Sequence, residues 1–314
     1  MKLLSFLPLA IGVLPLVASV PLTKRALSAS DQSVLELALY LEHLEHAMYS
    51  SGFQNFTEQQ YESAGFPPGF RDNVGVIASH EQTHIDLLTT VLTSNGITPI
   101  PTCQYKFPFT DPKSFAALAN MVSTVGIGAY IGGATGFSDN EQLLTAAGSI
   151  LAVEARHDAY VRTEIGASPF PTAFDTALTP VFAYNLAQMF IVSCPQPLPI
   201  IVLPKLNLTS PMPPQNLQPP VAAGTTLSFA WDPSKFFVSV DPNAPLYIAL
   251  INQDVQAPIF QEVTKTGSGT GTVPLPANIT GVAFAVLTTF SGGLTEAQLT
   301  QYGTLAGPAE VAVS

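Results

Sequence analysis

The stretch that decides the reading of this chain is "IASHEQTHIDLL", residues 77–88, which contains His80-Glu81-Gln82-Thr83-His84. As a string it is H-E-x-x-H, the zinc-protease signature. Such a protease needs a third protein ligand to the zinc and a water activated by the motif's glutamate. The extended form of the motif fails here, with Leu87 where a glycine is required and Thr90 where the third histidine is required. A zinc metalloprotease therefore stands only as an alternative, because a more distant glutamate ligand is still open to it.

The other histidines point elsewhere. All five lie between residues 43 and 157, and each has a glutamate within three positions. Glu81 and His84 are three apart, and "ILAVEARHDAY" places Glu154 and His157 at the same spacing. On a helix that spacing puts both side chains on one face. In "LYLEHLEHAMY", about 100° of rotation per residue sends Glu42, Glu45, His46 and Tyr49 into one narrow sector. A carboxylate from one helix with E-x-x-H pairs from two others is the ligand logic of a dimetal site in a bundle core. Carboxylates bridge two cations while each imidazole terminates one. The apolar flanks "GVIAS", "IDLL" and "SILAV" bury Glu81 and Glu154, and buried carboxylates need a cation or hydrogen bonds.

Around these motifs, residues from about 30 to 192 read as helices. The first, capped by Ser30-Asp31, runs to about Ser51, and the second runs from about Pro67 to Ser94, ended by Asn95-Gly96. A proline-rich crossing follows, then helices from near Pro112 and near Asn140, and a shorter one over Phe174–Val192. The third is rich in small residues, and Gly128-Ala-Tyr-Ile-Gly132 fits close packing within the bundle. After Cys194 the period changes. Residues 195–221 form a Pro-rich connector, and residues 222–314 a small antiparallel β-sandwich with strands in "TTLSFAW", "KFFVSV", "PLYIALIN", "IFQEV", "GVAFAVLTTF" and "AEVAVS". The expected fold is α+β and multi-domain: a helical bundle over 26–194, then the β-domain.

The N-terminus reads as an address. Lys2, the apolar run Leu3–Val17 and the small residues Val17-Ala18-Ser19 make residues 1–19 a signal peptide, and residues 20–25 a short propeptide ending at Lys24-Arg25. Removing residues 1–25 takes away three basic residues and no acid, leaving 8 basic residues against 22 acids, a net charge of −14. That surface repels nucleic acid and anionic membranes. No later apolar run reaches spanning length without polar interruption. Sequons at Asn55, Asn207 and Asn278 suit a secreted glycoprotein, and the two cysteines, Cys103 and Cys194, most simply form one disulfide. The β-domain carries no histidine and no clustered acids suited to chemistry, and reads as a packing module or a surface for a cell-wall or extracellular partner.

The segments "LALYLEHLEHAMY", "ASHEQTHIDLL", "VGIGAYIGGA" and "ILAVEARHDAYVR", the "SCP" ending at Pro195 and the closing "LAGPAEV" resemble the secreted ferritin-like proteins of fungi related to stress-response and plant desiccation-related proteins. The resemblance implies a ferritin-like four-helix bundle with Cys103 and Cys194 bonded. It implies metal ligands at Glu42, Glu81, His84, Glu154 and His157, with Glu45, His46 and Tyr49 in or beside the ligand set. It also exposes a departure: Ser123 falls where the third long helix of the family supplies a ligand glutamate. Either one metal position is weakened, or Glu45 or His46 compensates, or the centre holds one metal, or the site is lost. Iron is the expected metal of an intact site, with manganese or zinc also suited to these ligands. The expected function is metal binding with oxidase or reactive-oxygen-scavenging chemistry; the alternative is a non-catalytic extracellular stress protein with a degenerate site.

Overall fold

The computed structural model describes residues 26–137, 140–211, 221–253 and 257–313; the leader and the Lys24-Arg25 site read from the sequence lie outside them. Four long helices form the bundle: α1 (Ala29–Asn55), α3 (Phe70–Ser94), α4 (Pro112–Gly133) and α5 (Glu141–Glu164), with the short α2 (Glu58–Ser63) between the first pair. Each start has a local cause. Ser28, two residues before the expected cap, opens α1 through a reciprocal box with Asp31: Ser28 Oγ accepts from the Asp31 N–H at 3.0 Å and Asp31 Oδ2 accepts from the Ser28 N–H at 2.8 Å. Asp111 caps α4 ahead of Pro112, which has no N–H to lose there. Asn140 caps α5. Gly69, at φ 84°, makes the turn that delays α3 to Phe70.

The α3–α4 crossing carries β1 (Gln104–Tyr105), which pairs with β2 (Ile191–Ser193) after α6 (Pro180–Ala187). Thus the end of the expected fifth helix is a strand. Cys103 and Cys194 flank this pairing and are joined by a disulfide spanning 91 residues of sequence.

The β-domain is two antiparallel four-stranded sheets. One has the order β10-β9-β5-β6 and the other β3-β4-β8-β7, from β3 (Leu206–Ser210), β4 (Thr226–Trp231), β5 (Tyr247–Ile251), β6 (Ile259–Glu262), β7 (Thr264–Gly267), β8 (Thr270–Pro274), β9 (Gly281–Thr288) and β10 (Ala306–Val313). Two expectations change. Leu206–Ser210, read as connector, is a strand paired with β4, because its five residues are free of proline and alternate Leu206 and Leu208 inward. "KFFVSV" is not a strand; Phe237 and Val238 are exposed there, and no strand among the described residues pairs with them.

The first sheet is buried on both faces. Ile248, Leu250, Ala283, Ala285 and Leu287 face the second sheet, whereas Ala249, Ile251, Val282, Phe284 and Val286 join the core of the bundle. Alternation along β5 and β9 therefore feeds two cores, which is why β9 reads as an unbroken apolar run. The helical and β halves thus meet at this sheet, which gives one face to each core.

Small residues of α4 let the chain approach closely. A side chain at Gly132 would meet the Leu178 carbonyl oxygen at 1.9 Å, and one at Gly128 would meet that of Thr176 at 2.8 Å. Within Pro112–Phe137, which is apolar and long enough to cross a membrane by composition, most residues are buried inside the protein.

Candidate metal centre

Glu42 on α1, Glu81 and His84 on α3, and Glu154 and His157 on α5 converge at the centre of the bundle, all buried. Glu42, Glu81, His84 and Glu154 each offer one ligand atom, and these four atoms lie within 4.8 Å of one another. His84 Nδ1 is 3.2 Å from Glu42 Oε2, 3.1 Å from Glu81 Oε2 and 3.1 Å from Glu154 Oε1. His157 Nδ1 is 3.1 Å from Glu81 Oε1 and 3.4 Å from Glu154 Oε2. Each of the two E-x-x-H glutamates thus turns one oxygen to each histidine. That division is the arrangement of a carboxylate able to span two cations.

Around this centre, Tyr130 on α4 donates to Glu42 Oε1. Tyr49 and Ser123 are fully buried and hydrogen-bonded to each other, hydroxyl to hydroxyl, at 2.8 Å. Glu45 is 2% exposed, and among the described residues neither of its carboxylate oxygens has a hydrogen-bond partner. His46 turns away: its Nδ1 is 3.0 Å from the Ala78 carbonyl of α3 and its Nε2 3.4 Å from Ser50 Oγ. His80, the first histidine of the opening motif, does not join His84. Its Nδ1 is 3.0 Å from Nε2 of His157, on the side of that ring opposite the carboxylates.

Protonation follows from burial set against mutual contact. Burial, reinforced by the charges of Glu154 and Glu81, pushes Glu42 up to about 8 despite its bond with His84. Burial also raises Glu45 well above the usual carboxylate range, with Glu154, Glu42 and Glu81 adding to the effect. Burial would lower both imidazoles, yet their bonds to the carboxylates raise His84 to about 12 and His157 to about 9. Without a cation, the cluster keeps protons on its histidines and on Glu42. A metal ion would have to displace them.

The donor set of hard carboxylates and borderline imidazoles suits iron, manganese or zinc. The fit is supported by the two oxygens of Glu45, buried with no hydrogen-bond partner among the described residues, and by Glu81 Oε1 and both Glu154 oxygens, which are buried with the two imidazoles beside them. Natural proteins leave few such groups unsatisfied. Tyr130 and His80 carry roles that the spacing of ligand pairs does not reveal. Tyr130 was signalled only as a phenol within the small-residue run "VGIGAYIGGA".

A long-crossover helical bundle with carboxylates and E-x-x-H pairs facing inward defines the ferritin-like class. Residues 30–167 match the family model of the ferritin-like domain. Over 294 residues the chain is 26% identical to Protein rds1 of Schizosaccharomyces pombe, spanning 82% of this chain and 71% of that protein. A solved structure of a conserved hypothetical protein, rv2844, from Mycobacterium tuberculosis matches 46% of this chain and 96% of its own, at 23% identity and a TM-score of 0.37.

Proposed function

We propose that this protein binds two first-row metal ions in its bundle, iron foremost, with Glu42, Glu81, His84, Glu154 and His157 as ligands. The observation that carries the reading is the division of Glu81 and Glu154 between the two histidines. Redox-active iron held there would supply reaction with oxygen or peroxide, the chemistry of an oxidase or scavenger. The chain's own residues set the conditions. Burial excludes bulk water, His80 fixes the orientation of the His157 ring, and Tyr130 holds one oxygen of Glu42 through its hydroxyl proton. The leader read in residues 1–19, the disulfide and exposed Asn55, Asn207 and Asn278 support a secreted, glycosylated chain acting outside the cell or in its wall. The β-domain is the surface we assign to any wall or extracellular partner. The resemblance to stress-response proteins supports a protective role.

One observation favours a second reading. Ser123 engages Tyr49 rather than the carboxylate cluster, as in a scaffold whose site has decayed. The zinc-protease alternative is disfavoured by His80, which pairs with His157 instead of sharing a cation with His84.

The test is oxygen uptake after anaerobic loading with Fe(II). The proposed chemistry predicts rapid oxygen consumption that Glu81→Gln abolishes. Metal retention without any oxygen consumption would leave a binding protein and sink the oxidase claim.

A further inference from the structure

Resting on the two-metal reading, the first metal position has four donors: Glu42, Glu81, His84 and Glu154. The second has the remaining oxygens of Glu81 and Glu154 and the Nδ1 of His157, and is one donor short. Ser123 of α4 cannot supply a carboxylate, and its hydroxyl is bonded to Tyr49.

Two independent features answer that deficit. Glu45 is almost completely buried with neither oxygen hydrogen-bonded among the described residues, a costly state for a carboxylate without a cation. Three residues beyond Ser123, on the same helix, stands Gly126. A Cβ there would lie 2.3 Å from Glu45 Oε1 and 3.2 Å from Glu45 Oε2. Helix α4 carries no side chain at the place where the α1 carboxylate sits. Gly126 has an ordinary helical conformation, so space rather than backbone geometry accounts for the glycine.

We propose that Glu45 is the fourth protein donor of the second metal position, replacing from α1 the carboxylate absent at Ser123, and that Gly126 provides the space that admits it. The missing ligand has moved from one helix to its neighbour. With Glu45 included, four buried carboxylates and two neutral imidazoles match the charge of two divalent cations. His46, the other residue of this face able to compensate, is held by α3 and Ser50.

The experiment is an anaerobic titration of the full chain with Co(II), read by visible absorption and by bound metal per chain, with thermal melting to monitor folding. The unaltered protein takes up two ions. Glu45→Ala and Gly126→Ala each reduce this to one, and Ser123→Glu in the Glu45→Ala background restores the second. Glu45→Gln, which preserves shape, weakens the second binding event at least roughly tenfold, the lower bound of what disturbing even a ligand's outer partner costs. Two ions retained with unchanged affinity in both Glu45→Gln and Gly126→Ala would overturn the role of Glu45 while leaving the two-metal reading intact. No uptake by the unaltered protein would overturn both.

Discussion

His80 stacks on His157 with ring centroids 5.2 Å apart and planes 18° from parallel, and its Nδ1 meets the nitrogen of His157 that faces away from the carboxylates. The first histidine of H-E-x-x-H thus orients a ligand on another helix. Outer partners of this kind fix a ligand ring's tautomer, and losing them costs about 10–100-fold in metal affinity. His80→Ala should therefore weaken one of two metal-binding steps by about that factor, measured by calorimetric titration. Equal weakening of both steps, or of neither, would contradict this role.

The shared sheet makes a second prediction. Phe284 of β9 is fully buried against the bundle, and truncating such a side chain costs about 3–5 kcal/mol. Phe284→Ala should lower the helical melting transition as much as the β one, and a chain ending at Pro195 should expose a sticky apolar face. Independent melting of the two halves, seen by calorimetry, would show that the sheet does not couple the two cores.

How legible was this in the sequence? The convergence of the two Glu-His pairs was, because a three-residue spacing on a helix fixes a common face whatever the helix packs against. The same spacing does not say where the His46 ring ends up. Helical rotation gives the direction in which a side chain leaves the backbone, and the Ala78 carbonyl of the neighbouring helix then claims the ring. Tyr130 depends on how α4 is rotated against α1, a tertiary property. Strand β3 was hidden by its proline-rich surroundings, since its pairing with β4 is nonlocal. The double burial of β9 left its mark as an unbroken apolar run, although that run does not say which second surface covers it.

Glu310 on β10 gives a pH prediction. It is 5% exposed, its Oε1 has no hydrogen-bond partner among the described residues, and burial together with the charge of Asp158 raises its carboxyl well above the ordinary range. The folded state therefore prefers the protonated form. The stability linked to it is present below the unfolded carboxyl value, about 4.3, and is lost as pH rises through the folded one. Glu310→Gln should raise the melting temperature at pH 8 and change it little at pH 4. Equal effects at both pH values would contradict the assignment.

The disulfide between Cys103 and Cys194 closes a loop of 91 residues. In the chain-entropy account such a cross-link contributes about 4–5 kcal/mol by restricting the unfolded state. Cys103→Ser should lower the unfolding midpoint in denaturant correspondingly, and an unchanged midpoint would count against that contribution.

The central claim is that the buried carboxylates and imidazoles exist to hold two metal ions. It is tested most directly by metal content per chain, by elemental analysis of untagged protein after anaerobic exposure to Fe(II) and removal of loosely bound ions. The account predicts two ions per chain. None bound would contradict it, leaving a ferritin-like scaffold whose work is done on its surface.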